Sequence, residues 1–364
     1  MISKSEEIRA CAFCYSMCRH MCMIASILRT EISTPRVKGL LLYSVLKGKL
    51  KMDKKLARQF YLCTNCGRCH QQCETKAANP PKVFEAARAE IVEMGLAPDE
   101  ALKVRDSAVR TKNVYGMSGT RFEAVKDKVR EEASVALAYF IDDTTAYLRQ
   151  EIAKATAFIL ESLDIEFAVS GQEWSDGLLL YILGFRELAK SFAEHNIRAF
   201  KALKPSLILF SDPMSYTAFQ LYYPEMGIDT SGHTFMHLSE FLSKERLNFE
   251  GLNAKVTYFD PCFLGRRSLG LYEQPREILR RMPGLELVEM RFNREQALCC
   301  GGLLRFIDED LGREAARMVI EAVKKLRVDF VITSCPRCKE GLLEAGVKVL
   351  DLAEVVAEAK PRRG

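Results

Sequence analysis

No stretch of this 364-residue chain approaches the roughly 18 to 20 consecutive apolar residues that span a bilayer. Its richest apolar runs, Leu40 to Leu46 and Leu178 to Phe185, are far shorter, so the chain is not expected to cross a membrane by itself. The opening Met-Ile-Ser-Lys-Ser-Glu-Glu has no apolar core of the kind a secretion signal needs. The expected location is the cytoplasm, with peripheral attachment to the cytoplasmic membrane face only through a partner. An excess of one charge is also lacking. The 53 Lys and Arg against 48 Asp and Glu leave +5, interleaved along the chain, which gives nucleic-acid binding no support. No G-x-G-x-x-G follows a predicted strand, so a flavin fingerprint is absent and any organic redox step falls to a partner subunit.

What the chain has instead is cysteine. In a cytosolic setting thirteen cysteines argue for metal or catalysis rather than disulfides, because cellular thiol buffers keep them reduced. They fall into three groups. The first is Cys11, Cys14, Cys18 and Cys22. The second, Cys63, Cys66, Cys69 and Cys73, has the C-x2-C-x2-C-x3-C spacing of bacterial ferredoxins, in which three thiolates grip one cubane and the fourth completes its neighbour. The first run has one extra residue between its second and third cysteines, and Met23 and Glu74 stand where ferredoxins place proline. The cross-over rule assigns Cys11, Cys14, Cys18 and Cys73 to one [4Fe-4S] cluster and Cys63, Cys66, Cys69 and Cys22 to another. Structural zinc is the competing reading, but tetrahedral zinc rarely takes four ligands from one such run. His20 and His70, inside the runs, are expected to face solvent.

The third group is Cys262, then 36 residues, Cys299-Cys300-Gly301-Gly302, then 34 residues and Cys335-Pro336-Arg337-Cys338. Patterning predicts strands at Val256 to Phe259, Leu285 to Val288 and Asp329 to Thr333, with helices after Pro275 and from Gly312 to Leu326. Each cysteine site then follows a strand or precedes a helix, where backbone amides favour an anionic cluster, and Gly301 and Gly302 allow close backbone approach.

The same order recurs upstream without thiolates: strands Val135 to Ile141, Glu166 to Val169 and Ser206 to Phe210, with a helix near Leu183 to Leu203. This is a duplication. It places Asp143, Ser175-Asp176, Asp212 and Ser215 where the second half has Cys262, Cys299-Cys300, Cys335 and Cys338. The spacings are close, with 31 residues between Asp143 and Ser175 and 35 between Asp176 and Asp212 against 36 and 34 in the second half. Hard oxygens cannot hold an iron–sulfur cluster, so one site has degenerated; helix capping or a hard cation are the readings for its carboxylates. Trp174, the sole tryptophan, either fills core space there or stacks on a flat ligand.

YFDPCFLGRR (258 to 267), LYEQPREIL, ALCCGG and ITSCPRC, with SDPMSY, YYPEMG and HLSEFL in the degenerate half, resemble the cysteine-rich CCG domain pair of the heterodisulfide reductase family. That pair also occurs in iron–sulfur subunits of glycolate, lactate and glycerol-3-phosphate dehydrogenases. The resemblance covers nearly the whole chain. It implies an α+β protein: an N-terminal all-α ferredoxin-like double-cluster domain (1–125), a degenerate α/β CCG-type module (126–248) and an intact one (249–364). It also implies that Cys262, Cys299, Cys300, Cys335 and Cys338 hold a noncubane [4Fe-4S] cluster beside the two cubanes.

The expected role is an electron relay in a hetero-oligomeric complex. A flavoprotein or ferredoxin stands at one end and a thiol/disulfide acceptor, or a quinone on a membrane cytochrome subunit, at the other. The alternative is a disulfide or trisulfide reductase acting at the single noncubane cluster; a cluster-bearing scaffold is the non-redox reading. Arg266, Arg267, Arg337 and Lys339 either tune the third cluster or are solvated charges. His237 either supplies a proton or packs in the core. Thr34-Pro35 and Asn79-Pro80-Pro81 are expected to open helices.

Overall fold

The computed structural model describes residues 4–364 apart from 17, 75 and 133, so residues 1–3 of the leader reading lie outside it. A helical region comes first, and its starts are set locally. Thr34 Oγ1 accepts from Val37 N (3.3 Å) ahead of helix Pro35–Leu46, and Asn79 Oδ1 accepts from Lys82 N (3.4 Å) ahead of Pro80–Glu93. Proline costs nothing at these first helical positions, where its missing N–H would have no intrahelical partner. Asp53 caps Lys54–Tyr61 in the same way, and Asp99–Thr111 follows.

Two parallel sheets occupy the rest of the chain. Strands β1 (Val129–Arg130), β2 (Leu137–Phe140), β3 (Phe167–Ser170), β4 (Leu207–Phe210) and β5 (Thr234–His237) form the first, in the order β1-β3-β2-β4-β5. After the short β6 (Leu247–Asn248), strands β7 (Ala254–Phe259), β8 (Leu285–Leu287), β9 (Phe330–Thr333) and β10 (Val349–Asp351) form the second, in the order β10-β9-β7-β8. The tail strand β11 (Arg362–Arg363) pairs antiparallel with β6 and so ties the two halves together. The central strands LAYF, FAVS and FVIT are buried at every residue, as parallel strands covered on both faces must be.

The duplication is visible in this topology, because β3-β2-β4-β5 and β8-β7-β9-β10 are one order twice. It reaches single atoms as well. Tyr139 OH pairs with Ser211 Oγ (2.7 Å) in the first half and Tyr258 OH with Ser334 Oγ (3.0 Å) in the second, each joining the central strand to the end of its neighbour.

Two predicted elements differ from those observed. The helix expected near 183–203 begins three residues later, as Arg186–Leu203, behind a separate helix Leu178–Leu183. Gly184 breaks them at φ 100°, where a Cβ would lie 2.4 Å from Arg88 O on the crossing helix Pro80–Glu93. The helix expected from Gly312 begins a turn earlier, at Glu309, because Asp308 caps it through Leu311 N.

Candidate iron–sulfur centres

The helical region brings the first two cysteine groups together in the crossed pattern. One cavity is walled by Cys11, Cys14, Cys18 and Cys73, with Cys69 at its edge and the exposed Tyr15 beside it. A second is walled by Cys22, Cys63, Cys66 and Cys69. Backbone amides already point at sulfur: Ser16 N donates to Cys14 Sγ (3.3 Å) and Asn65 N to Cys63 Sγ (3.4 Å). Burial, then the neighbouring thiols, pushes Cys11 up to about 12 and Cys18 up to about 11. Thiols crowded like this become thiolates only beside strong positive charge, which iron supplies when bound.

The second cavity also holds a cation that the cysteine pattern does not announce. Lys38 is fully buried, and its Nζ donates to Leu62 O (2.6 Å). Burial pulls its ammonium down while the Cys63 and Cys22 thiolates pull it back up. The only sequence signal was a lysine on the face that helix Pro35–Leu46 buries with Pro35 and Leu42.

The third group converges where β7 and β9 end. Cys262, Cys299, Cys300, Cys335 and Cys338 wall one cavity with Met214 and Arg337, and no carboxylate lines it. Cys335 caps helix Pro336–Glu344 through Cys338 N (3.4 Å). Cys300 and Cys338 Sγ lie 3.1 Å apart; Cys299 and then Cys338 lower the Cys300 thiol, while Cys300 and then Cys335 raise Cys338. Burial pushes Cys335 up to about 11.

The expected helix N-terminus at Cys299-Cys300 is not there. The pair sits in irregular chain between the turns Arg294–Gln296 and Leu304–Phe306. Gly301 donates its N–H to Cys299 Sγ (3.4 Å), a close approach of backbone to sulfur. It has φ 76°, and a Cβ would meet Gly312 O at 2.3 Å, so it seats the loop on helix Glu309–Lys324. Gly301→Ala is expected to cost at least about 1–3 kcal/mol, read as a lower urea midpoint at unchanged m.

The loop before Cys262 is held by a buried ion network. Arg276 pairs in bidentate fashion with Asp260 (2.7 and 2.8 Å) and reaches Glu289 (2.6 Å), while Asp260 also accepts from Arg294 N. The second and third groups touch. Cys66 packs against the buried cluster that contains Cys299 and Cys300, and Met23 Sδ accepts from Cys299 N (2.9 Å). Among the described residues no three His, Cys, Asp or Glu side chains converge as they would on a single metal ion. The donor set fits clusters: five cysteines line the first cavity, four the second and five the third, with Cys69 shared by the first two.

Comparisons with known proteins agree with this geometry. A model of the 4Fe-4S dicluster domain matches residues 7–77, and one of the CCG cysteine-rich domain matches residues 256–342. A subunit of the dihydromethanophenazine:CoB–CoM heterodisulfide reductase of Methanosarcina acetivorans is 30% identical over 316 residues, spanning 82% of this chain and 77% of the relative. The chain belongs to this heterodisulfide reductase family of CCG-domain iron–sulfur proteins. It is thus an iron–sulfur electron-transfer subunit of oxidoreductase type.

Among other relatives, a subunit of the fumarate reductase (CoM/CoB) of Methanothermobacter marburgensis is 27% identical, over 81% of this chain and 60% of that protein. The EtfAB:quinone oxidoreductase of Syntrophomonas wolfei is 28% identical over 82% of this chain, which spans only 46% of that longer protein. A solved structure of a hypothetical protein from Helicobacter pylori shares the fold, with a TM-score of 0.57 at 12% identity, covering 89% of this chain and 67% of that one.

In this family member the degenerate half keeps the scaffold of the site and has changed its chemistry. Asp212 caps Pro213–Thr217 through Ser215 N (2.8 Å), as Cys335 caps its own helix. Ser215 Oγ donates to Asp176 Oδ2 (2.7 Å), and Asp176 Oδ1 accepts from Leu178 N (2.7 Å). Asp143 pairs with Arg121 and accepts from Val114 N, and Ser175 N donates to Lys112 O. Asp212 and Asp176 thus fit the capping reading, whereas Asp143 is held in an ion pair and the cap of helix Asp143–Tyr147 is its neighbour Asp142. Trp174 stacks on His195 with ring centroids 3.6 Å apart and carries Lys112 over its ring, so its role is packing.

His237 is not poised to give up a proton near neutrality. It is buried at the start of helix Leu238–Lys244, with Nδ1 accepting from Ser239 N and Nε2 against Ser211 O, and burial lowers it from 6.5 to about 4. Native His237 therefore stays neutral while the unfolded chain protonates, so stability falls as pH drops from about 6.5 to about 4. The variant His237→Asn is expected to remove on the order of 2–3 kcal/mol of that decline, read from urea midpoints across the window.

His20 is exposed as expected, whereas His70 is half-buried with Nδ1 at 3.0 Å from Ala78 O. The four basic residues near the third group are not free surface charges. Arg267 is buried against Glu85, Lys339 pairs with Glu151 and Glu354, Arg337 lies over Phe306, and Arg266 reaches Cys66 O. Among the described residues no helix is long and apolar enough to cross a membrane.

Proposed function

We propose that this chain is the iron–sulfur relay of a heterodisulfide-reductase-like complex, carrying electrons between a flavoprotein or ferredoxin and a thiol/disulfide or quinone acceptor. Two [4Fe-4S] cubanes sit on Cys11, Cys14, Cys18 and Cys73 and on Cys63, Cys66, Cys69 and Cys22. A noncubane [4Fe-4S] cluster sits on Cys262, Cys299, Cys300, Cys335 and Cys338. The three-part division at residues 125 and 248 follows these centres. The observation that carries the reading is continuity: Cys69 borders both helical cavities, and Cys66, which lines the second, packs against the buried cluster that contains Cys299 and Cys300. The chain works on the cytoplasmic side in a hetero-oligomer and reaches a membrane only through a partner.

A second reading, direct disulfide or trisulfide reduction at the third centre, is supported by one feature. A cavity of about 240 Å³, lined by Tyr115, Gly302, Phe306 and Arg337, lies beside the cysteine loop. When loaded, the clusters supply the electrons; the chain's own residues orient the sulfurs, bury them and place positive charge beside them.

Anaerobic metal analysis should give about twelve irons per chain. Added thiol or disulfide should leave the third centre's spectrum unchanged if it is a pure relay, and produce a new paramagnetic species if it reacts with substrate. Zinc in place of iron would defeat both readings.

A further inference from the structure

Between the second and third cysteine groups lies a buried cation, Arg266, with one nitrogen left unpartnered. Arg266, four residues beyond Cys262, spends two of its three nitrogens on backbone carbonyls. Nε donates to Cys66 O at 3.0 Å, and Nη1 faces Ala297 O (2.9 Å), Glu295 O (3.2 Å) and Arg294 O (3.4 Å). Those carbonyls belong to the second cysteine run and to the loop leading into Cys299. Nη2, with two N–H donors, is buried and has no partner among the described residues. Buried donors are almost always satisfied, so this one points to an acceptor that arrives with the bound groups. The anionic groups that support the Arg266 charge are led by Cys66, Cys262 and Cys299, which come from both centres; Tyr272 is the other.

We propose that Arg266 is a shared positioning residue for the second and third centres, its Nη2 donating N–H···S hydrogen bonds to cluster sulfur and its charge raising the reduction potentials of both. This rests on the relay reading above. The physical reason is direct. Reduction adds negative charge to a cluster, and a fixed cation with N–H donors to sulfur favours the more negative state. Arg68, which also crosses this junction, donates to Gln296 O and Met21 O and has no orphaned nitrogen. Arg337, with Nε and Nη1 orphaned, borders the third cavity but not the second, and Arg267 is neutralised by Glu85, which leaves Arg266 as the unpaired charge bearing on both centres. The contacts of Arg266 reach the second run and the loop into Cys299 and not Cys11, Cys14, Cys18 or Cys73, so the first centre provides an internal control.

The test is a potentiometric titration of the full-length, iron-loaded protein, followed by low-temperature electron paramagnetic resonance, with iron counted in every sample. In Arg266→Gln the second and third centres should shift to more negative potential while the first stays in place. Arg266→Lys keeps the charge and loses the free fork, so it should shift the same two centres by less. If Arg266→Gln fails to load iron, Arg266→Lys decides alone. Unmoved second and third potentials, or an equal shift of all three, would overturn the proposal and leave Arg266 a purely structural clamp. Wild-type iron content separates the two levels of argument. A missing third centre defeats the relay reading, whereas full iron with unmoved potentials defeats only the role given to Arg266.

Discussion

Replacing Cys300 with serine is expected to lower iron from about twelve to about eight per chain while both cubane signals survive. The loss should be that selective because Cys300 faces only its own group. Its Sγ lies 3.1 Å from Cys338 Sγ, and it walls the third cavity but neither of the others. A serine oxygen is a hard, weakly acidic ligand where soft thiolate is required. The protein carries its own precedent, since the degenerate half has Asp212 and Ser215 where the intact half has Cys335 and Cys338. The measurements are iron per chain and spectra of the reduced protein. Unchanged iron would remove Cys300 from the ligand set, and loss of all three signals would mean that the cysteine groups do not fold independently.

Glu85→Ala is expected to destabilise the protein by about 3–5 kcal/mol, because it strands a buried guanidinium. Glu85 is fully buried on helix Pro80–Glu93. Its Oε1 accepts from Arg267 Nη2 (2.6 Å), Asn65 Nδ2 (2.6 Å) and Tyr222 OH (2.9 Å). Those partners come from the intact half, the second cysteine run and the degenerate half, so one carboxylate joins three parts of the fold. Burial opposes its charge, but Arg267 and then Lys82 outweigh that and hold it below the usual carboxylate range. The stability it contributes is therefore fully present above the unfolded carboxyl's pKa, near 4.3, and is lost as pH falls through the lower native value. Removing both charges, as in Glu85→Leu with Arg267→Met, should cost much less than the sum of the single changes. Urea midpoints for the two singles and the double measure this, and strict additivity would show that the pair does not act as a unit.

Much of the cluster-bearing architecture was legible before any coordinates because the relevant information is short-range. Three or four thiols within a dozen residues must lie near one another in almost any fold, so Cys63 to Cys73 announced a centre by spacing alone. Thr34 and Asn79 announced helix starts because a cap bonds an amide two or three residues ahead. The duplication was legible because two copies of one fold repeat their strand and loop lengths, even where Asp and Ser have replaced Cys. The same local signals misplaced the helix around Gly184 and the helix start at Asp308. There the deciding factors were a crossing backbone in one case and a cap read one turn too late in the other.

From the order of residues alone it follows that the thirteen cysteines fall into three groups, by their spacing, and that a cysteine-free copy of the third group's setting lies upstream, by the repeat of strand and loop lengths. Tertiary structure alone decided how those groups relate: that Cys66 packs against the buried cluster containing Cys299, 233 positions further along the chain, that Arg266 lies between them, that Lys38 is buried beside the second, and that His237 is neutral. Such facts depend on distances between segments remote in the chain and on how much water the fold removes from each charge, and neither quantity is written in any local pattern of residues.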